Sequence, residues 1–282
     1  MKFGANTQIW CAPFSQKDIG VIDKVADLGF DYIELGFASE EPPFKTAEVK
    51  KRIQEDKLRC GVCSFLPGDR DIANPDPEVR RRGVAYMQAL IATTAAIGGE
   101  ILSGPLYAEL FRTRYIPEQE RQREWEWSVQ SLRQVAKSAD THGVTLALEP
   151  LNRFETDFLN LSSQAVKLAE DVASKAVGIL LDTFHMHIEE KNQGAAIRRA
   201  GKHLKHFHTC ENDRGSPGTG QVDWPDVRSA LTDIGYSGCL VIEGFNPDVV
   251  DLANGARIWR PMAPTPDRLA SDGLKFLKGY FN

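Results

Sequence analysis

The chain has 282 residues, of which 42% are hydrophobic and 26% are charged, a composition typical of a globular protein with a large buried core. Its formal net charge is −5, and its Lys and Arg residues are scattered, without the basic stripe of a nucleic-acid-binding protein. No apolar run is long enough to span a membrane, and the N-terminus lacks the apolar stretch of a secretory signal. We therefore expect neither nucleic acid nor membrane as a partner.

The five cysteines are an odd number in a long chain, which argues against a disulfide framework and favours the cytoplasm. Cys60 and Cys63 form a C-x-x-C motif inside a predicted strand. Residues three apart on a strand point to opposite faces of the sheet, so we expect two packed thiols rather than a redox or zinc pair.

Short apolar runs alternate with longer amphipathic segments along the chain. The predicted strands are Phe3–Thr7, Tyr32–Phe37, Arg59–Phe65, Ile101–Leu106, Val144–Glu149, Val177–Asp182, Leu204–Thr209 and Cys239–Phe245. The predicted helices between and after them include Asp18–Leu28, Glu78–Ile97, Glu120–His142, Ser163–Ser174, Asp223–Ile234 and Pro266–Leu277. Gly143 follows one such helix as a C-terminal glycine should, and Ser162 and Asp223 are predicted N-caps.

Eight strands that alternate with helices predict a parallel sheet covered by helices. Eight such units fit a closed barrel better than an open doubly wound sheet, and no G-x-G-x-x-G motif follows the first strand. The predicted fold class is thus α/β, a single (β/α)8 TIM barrel. With no linker or change of composition, residues 1–282 are predicted to form one domain.

The last four predicted strands each end an apolar run on a residue that can bind a metal. These residues are Glu149, Asp182, His208 and Glu243. Because the active site of such a barrel lies at the C-terminal ends of its strands, the four side chains should meet there. Three converging carboxylates repel one another unless a cation lies between them. The set suits a divalent cation that prefers oxygen and imidazole ligands, and we expect Mn²⁺ before Co²⁺ or Mg²⁺.

Each of the four residues has a simpler alternative when it is taken alone. A carboxylate at the end of a strand is commonly the N-cap of the following helix. His208 could be a hydrogen-bonded core histidine, the interpretation that we give to His206 two residues before it. The occurrence of all four at equivalent strand ends favours the metal site.

Two segments resemble a known family. Leu148-Glu149-Pro150-Leu151-Asn152-Arg153-Phe154-Glu155 and Leu181-Asp182-Thr183-Phe184-His185-Met186-His187 are similar to the ketose 3-epimerases of the D-tagatose, D-psicose and L-ribulose type, as is Gly201–His208. The family belongs to the xylose-isomerase-like sugar isomerases and epimerases. The resemblance covers most of the chain and is sharpest from Ala147 to Phe245.

The resemblance implies roles for individual residues. It implies that Glu149, Asp182, His208 and Glu243 bind the metal, and that Glu149 and Glu243 are also the acid and base on opposite faces of the sugar. Glu155, His185 and Arg214 match the residues that hold the O1, O2 and O3 end of the substrate. The resemblance also implies a homodimer or homotetramer.

Other residues near the strand ends are open to two interpretations. Trp10, Cys63 and Phe65 follow or end the first and third strands, where they could line a pocket or pack in the core. Arg153 and Glu155 could instead form a surface ion pair. The loop Glu211–Gly220 contains glycines and Arg214, which leaves a phosphorylated substrate open.

The expected reaction is metal-dependent epimerisation of a free ketose at C3, through loss and return of a proton and an enediolate. Two glutamates on opposite faces suit inversion of that carbon. The same metal site would also serve an aldose–ketose isomerase, or a lyase or dehydratase acting on a keto-sugar or an oxidised glycoside. A multi-zinc endonuclease would need more histidines and a basic face, and a non-catalytic sugar-binding barrel would have lost a ligand.

Overall fold

The computed structural model describes residues 1–281 of the chain. Eight parallel strands pair in sequence order, and β8 also pairs with β1, which closes the sheet and confirms the predicted (β/α)8 TIM barrel. The strands are β1 Lys2–Asn6, β2 Tyr32–Gly36, β3 Arg59–Cys63, β4 Ile101–Gly104, β5 Thr145–Leu148, β6 Val177–Asp182, β7 Leu204–Thr209 and β8 Cys239–Ile242. Most predicted strands overrun these at their C-terminal ends, because the chain leaves the ladder there to form the mouth of the barrel.

Helices follow the strands and cover the outside of the barrel. They are α1 Gly20–Asp27, α2 Thr46–Glu55, α3 Pro77–Ala96, α4 Glu118–His142, α5 Ser162–Val172, α6 Thr183–Glu189, α7 Gln193–Ala200, α8 Trp224–Asp233, α9 Val250–Ala256 and α10 Pro266–Phe281. Helices α2, α6, α7 and α9 lie outside the helical segments named from the sequence. They are short, and a short helix shows too few turns for its apolar period to be distinct.

Two of the three residues predicted to end or cap helices do so in the structure, and the third does not. Gly143 ends α4 with a φ of 68°, a left-handed conformation that favours glycine, and its N–H bonds the last turn. Asp223 caps α8 by accepting a hydrogen bond of 3.1 Å from the N–H of Asp226. Ser162 is not an N-cap as predicted, because α5 begins at Ser162 itself and Gln164 instead accepts the N–H of Leu161 at 3.0 Å.

Apolar side chains fill the layer between the sheet and the helices, and residues such as Leu90, Leu132 and Leu168 are fully buried there. The inside of the barrel differs, because it holds a layer of buried polar side chains: Asn6, Glu34, Ser103 and His206. Barrel interiors of this fold are usually filled by branched apolar residues. The polar layer lies directly beneath the predicted site.

Within residues 1–281, no helix combines the length and the apolar character that crossing a bilayer requires.

Candidate metal centre and substrate cavity

The four predicted metal ligands meet at the mouth of the barrel. Glu149, Asp182, His208 and Glu243 each offer one ligand atom, and these atoms all lie within 4.8 Å of one another. All four residues are buried. Asp182 and His208 are partners in the ladder between β6 and β7, whereas Glu149 and Glu243 directly follow β5 and β8. The parallel register thus brings four distant residues to one point.

The geometry and the donor atoms fit a divalent cation. The Nδ1 of His208 lies 3.5 Å from Oε1 of Glu243 and 3.9 Å from an oxygen of both Glu149 and Asp182. Oε1 of Glu149 and Nδ1 of His208 are buried and have no hydrogen-bond partner among residues 1–281. Buried polar atoms without partners are costly, and a cation between these groups would satisfy both. Three carboxylates and one imidazole are also ligands that Mn²⁺, Co²⁺ and Mg²⁺ accept.

The two glutamates differ in their affinity for a proton. Burial, with the neighbouring charge of Glu243, raises the pKa of Glu149 well above its usual range. Burial alone would do the same to Glu243, but the charges of His208 and Arg214 outweigh it and lower the pKa of Glu243 to about 2. In the absence of a cation, the surroundings thus shift the pKa values of the two glutamates in opposite directions, an arrangement typical of acid–base sites.

His208 holds a proton tightly in the absence of a cation. Burial would lower the pKa of its imidazole, but the charges of Glu34 and Glu243 outweigh burial and raise that pKa well above its usual value. Since Nε2 faces Glu34, the titrating proton sits on Nδ1, the atom that faces the carboxylates. A cation would replace this proton.

Asp182 is both a helix cap and a site residue. Its Oδ1 accepts a hydrogen bond of 2.6 Å from the N–H of Phe184 and caps α6. Its Oδ2 faces the site and accepts a hydrogen bond of 2.8 Å from Nη1 of Arg214. The two interpretations that the sequence left open for such a residue are therefore compatible, because the carboxylate has one oxygen for each.

Arg214 enters the site from the loop after β7. Its Nη1 lies 2.8 Å from Asp182 and 2.7 Å from Glu243, so the guanidinium neutralises part of the carboxylate charge. The guanidinium lies between two rings, 4.0 Å from the centre of Phe184 and 4.8 Å from that of Phe245. Its backbone has a φ of 69°, which is uncommon for a residue with a side chain. This placement uses Arg214 within the site and so argues against a separate phosphate-binding role for the loop.

His185 directs a donor toward the cavity. Its Nδ1 accepts the backbone N–H of Asn152 at 3.0 Å, and a backbone N–H can only donate. Burial, together with the charge of Arg214, lowers the pKa of His185 well below its usual value, so the ring is neutral. Nε2 therefore carries the hydrogen, and it lies 3.8 Å from Oε1 of Glu149. Nη2 of Arg214 lies 3.0 Å from this Nε2, so the two groups present donors side by side to one part of the cavity.

Glu155 lines the same cavity rather than the surface. Asn152 Nδ2 donates to its Oε1 at 2.8 Å, and burial raises the pKa of its carboxyl group. The alternative ion pair with Arg153 is not formed, because Arg153 is exposed and pairs with Glu189 at 2.9 Å. The structure thus places Glu155, His185 and Arg214 around one cavity with Glu149 and Glu243, two of the four predicted ligands.

A cavity of about 380 Å³ opens above these residues. Glu149, Glu155, His185, Arg214 and Glu243 contribute to its floor and walls. Much of the remaining wall is apolar and includes Phe37, Leu110, Phe111, Phe245 and Leu252. The space is wide enough for a small molecule that combines a polar end with a less polar one.

The three suggested wall residues have different positions. Cys63 and Phe65 line the cavity. Trp10 does not, which corrects the suggestion for this residue: its Nε1 donates a hydrogen bond of 2.6 Å to Asp267 of α10. Cys60 points away from the barrel toward the carbonyl of Ile97, so the C-x-x-C motif forms two separate free thiols as expected.

Sequence reasoning missed Glu34 and the two rings that hold Arg214. Glu34 is fully buried in β2 and binds both His206 and His208. An acidic residue inside the otherwise uncharged run Tyr32–Gly36 was a signal that could have drawn attention to it. Phe184 and Phe245 lie beside predicted site residues, but nothing in the spacing shows that they face the guanidinium.

Comparisons with known proteins agree with this architecture. The family model of the xylose isomerase-like TIM barrel matches residues 22–280. A D-psicose 3-epimerase of Ruminiclostridium cellulolyticum is 33% identical over 276 residues, which cover 96% of this chain and 93% of the relative. An L-ribulose 3-epimerase of Mesorhizobium japonicum is 33% identical over 279 residues, which cover 98% of this chain and 93% of the relative.

A solved structure is similarly close. The crystal structure of a D-psicose 3-epimerase with D-tagatose from Clostridium cellulolyticum H10 superposes with a TM-score of 0.92 at 32% identity and covers 100% of both chains. Full-length similarity of this degree joins the barrel to carbohydrate epimerases. The chain therefore belongs to the xylose isomerase-like TIM barrel family and, within it, to the ketose 3-epimerases, which are carbohydrate isomerases.

Proposed function

We propose that this protein epimerises a free ketose at C3 with the help of a divalent cation held by Glu149, Asp182, His208 and Glu243. The observation that carries the proposal is the pair Glu149 and Glu243, two carboxyl groups that directly follow β5 and β8 and line one cavity beside the other two candidate ligands. The ketose 3-epimerase relatives support C3 as the carbon that is inverted.

The two glutamates perform the proton transfers. A carboxylate on one face of the sugar accepts the proton from C3, and the carboxylic acid on the other face returns a proton to the same carbon. Glu149 and Glu243 both line the cavity, so each can present a carboxyl group to the bound sugar, and the proton that one accepts leaves the other to supply its counterpart. The reaction is reversible, so the two groups exchange roles when the other epimer is bound.

A cation at this site would supply a positive centre for the negative charge that develops on the sugar oxygens when C3 loses its proton. We propose Mn²⁺ as the ion, with Co²⁺ and Mg²⁺ as possible replacements, because the ligand set contains no thiolate. The thiol of Cys210 lies beside the site, where its Sγ donates to Oδ1 of Asp182 at 3.2 Å.

Three further side chains hold the reacting end of the sugar. His185 presents its Nε2–H, and Arg214 presents a guanidinium stacked between two rings. Both are donors suited to ketose oxygens, and at 3.0 Å from each other they can donate to the same sugar oxygen. Glu155 is an acceptor that suits a sugar hydroxyl.

The apolar wall serves the rest of the substrate. Phe37, Leu110 and Leu252 offer no hydrogen bonds, so they limit the access of water to the reacting carbon and contact the distal carbons of the sugar. Free ketoses fit this lining better than phosphorylated ones. A phosphate group would need a positively charged partner, and the guanidinium of Arg214, which lines the cavity, is already paired with acidic groups.

The proposal extends to assembly and location. We propose that residues 1–282 act as one domain, that the protein forms a homodimer or homotetramer, and that it works in the cytoplasm. Light scattering coupled to size-exclusion chromatography would measure the assembly directly, and a monomer at micromolar concentration would contradict that part of the proposal.

The test of function is proton exchange in D₂O. The protein is stripped of metal, then loaded with Mn²⁺, and incubated with D-psicose, D-fructose, D-tagatose or L-ribulose while NMR follows deuterium at each carbon. Metal-dependent exchange at C3 together with the C3 epimer is the expected result. Exchange at C1 with an aldose product would replace the proposal by an aldose–ketose isomerase, and loss of water from an oxidised sugar would replace it by a lyase or dehydratase.

Substitution of Glu243 tests the proton transfer itself. Glu243→Gln keeps the shape of the side chain but can no longer accept a proton, so we expect turnover to fall by at least about 10²-fold even at an Mn²⁺ concentration that saturates the variant. Glu126→Gln, an exposed change on α4, is the matched control and should leave turnover unchanged. Normal turnover in Glu243→Gln, with an unchanged circular dichroism spectrum in both variants, would remove Glu243 from the acid–base pair.

A further inference from the structure

We propose that Glu34 is a positioning residue for the metal centre: it fixes the orientation and the tautomer of His208 from inside the barrel. The inference rests on the proposed metal site. Glu34 is fully buried on β2 and is absent from the cavity lining, so it does not touch the substrate. Its effect on the reaction would pass through His208 alone.

The carboxylate of Glu34 accepts four hydrogen bonds. Oε1 accepts from Nε2 of His206 at 2.8 Å and from Oγ of Ser103 at 2.7 Å. Oε2 accepts from Nε2 of His208 at 2.8 Å and from Nδ2 of Asn6 at 2.9 Å. A carboxylate offers about four acceptor positions, two on each oxygen, and all are occupied here. The group has no position left for a metal of its own.

The bond to Oε2 determines which nitrogen of His208 faces the cation site. Because the carboxylate of Glu34 accepts a hydrogen bond from Nε2, that nitrogen carries a hydrogen. The other ring nitrogen, Nδ1, therefore faces the carboxylates of the candidate metal site. Nδ1 has no hydrogen-bond partner in the described structure although it is buried. Histidines that bind metals commonly donate their other N–H to a carboxylate, which orients the ring and makes the ligand nitrogen more basic.

The surrounding donors hold the carboxylate itself in place. His206 packs edge-on against His208 with ring centres 5.2 Å apart, and Tyr32 packs against His206 at 5.7 Å. Asn6 and Ser103 fix the carboxylate from β1 and β4, and the two histidines do so from β7, so three strands converge on one side chain of β2. Rotation of the carboxylate would break at least two hydrogen bonds at once. The carboxylate of Glu34 therefore resists rotation and holds the ring of His208 in one orientation.

The variant Glu34→Gln tests the proposal through metal affinity. An amide has one oxygen, one NH₂ and no negative charge, so one imidazole must turn or change its tautomer, and His208 loses the charged acceptor that makes its Nδ1 more basic even if the amide oxygen still faces it. We expect the Kd for Mn²⁺, measured by electron paramagnetic resonance of the free ion, to rise about 10- to 100-fold. C3 exchange should recover in part when Mn²⁺ is raised to saturation.

Ser103→Ala is the matched control. It removes another hydrogen bond to the same carboxylate and leaves both histidine bonds intact. If Glu34 only stabilises the barrel, both variants will lower the melting temperature and neither will change the Kd for Mn²⁺. An unchanged Kd in folded Glu34→Gln would therefore overturn the proposal. Absence of Mn²⁺ binding in the wild-type protein would instead overturn the proposed function.

A measurement on the unaltered protein keeps the test available if Glu34→Gln does not fold. Long-range ¹H–¹⁵N spectra of the imidazoles report which nitrogen of each histidine carries a hydrogen. We expect His208 in the Mg²⁺-loaded wild-type protein to be protonated at Nε2 and to have an unprotonated Nδ1. A hydrogen on Nδ1 with a bare Nε2 would contradict the role given to Glu34.

Discussion

Individual side chains at the mouth of the barrel balance the negative charge of a cluster of buried carboxyl groups. Three buried carboxylates face one point, and Arg214 and the protonated His208 supply positive charge there. Oε1 of Glu149 has no hydrogen-bond partner in the part of the chain that the structure describes, and burial with the charge of Glu243 raises the pKa of Glu149 above that of a free carboxyl group. A cation that binds at this site would therefore displace the protons of His208 and Glu149.

This exchange predicts a pH dependence of metal binding. His208 and Glu149 both have raised pKa values, so both hold protons that a cation must displace. Affinity for Mn²⁺ should therefore rise with pH and should still be rising above pH 6.5, the ordinary value for an imidazole. Competition titrations with a chelating dye at several pH values would measure the slope. A constant affinity above that pH would show that neither proton competes with the metal.

At the scale of the elements, the loop after β4 is held by a buried ionic cluster. Arg112 lies 3.2 Å from Asp71, 3.0 Å from Glu124 and 2.9 Å from Asp157, and all of these groups are buried. The neighbouring residue Phe111 lines the cavity, and its N–H bonds the carbonyl of Glu155 at 2.9 Å. The cluster therefore supports the rim that carries part of the substrate wall.

Substitution of Arg112 tests the importance of this cluster. Arg112→Met leaves buried carboxylates with too little positive charge, and we expect it to lower the free energy of unfolding by about 3–5 kcal/mol. Arg81→Met is the control, since its pair with Glu78 is exposed and should contribute about 0–1 kcal/mol. Urea unfolding at constant Mn²⁺ compares the two, and equal losses would show that the cluster has no special role.

At the scale of the whole molecule, the barrel and the metal site are expected to stabilise each other. The four ligands come from four different strands, so a cation that binds them favours the folded chain over the unfolded one. At a free Mn²⁺ concentration of about 100 times Kd, the gain should be about 2.7 kcal/mol. For a chain of this size that corresponds to several degrees in Tm, which calorimetry can detect.

The matched control for this prediction is Asp182→Asn, which keeps the cap on α6 through the amide oxygen but weakens a ligand. Mn²⁺ should raise its melting temperature much less than that of the wild-type protein. An equal shift in both proteins would mean that the ion stabilises the fold from another place.

The sequence by itself determined the order of the strands, the closed barrel and the group of residues at the strand ends. Apolar runs and parallel strands have simple periods, and all strands of such a barrel end at the same mouth. This is why Glu149, Asp182, His208 and Glu243 could be placed together before any distance was known. The family motifs added Glu155, His185 and Arg214, which the structure places around the same cavity.

Only the tertiary structure decided which side chains contact one another across the barrel. Glu34 is far from His208 in sequence, and their hydrogen bond of 2.8 Å follows from the register of several strands at once. The turn of Trp10 toward Asp267 and the stacking of Arg214 between two rings likewise depend on loops that carry no regular period. A sequence pattern shows which face of a strand or helix carries a residue. Contacts between residues that are distant in sequence depend instead on how separate elements pack.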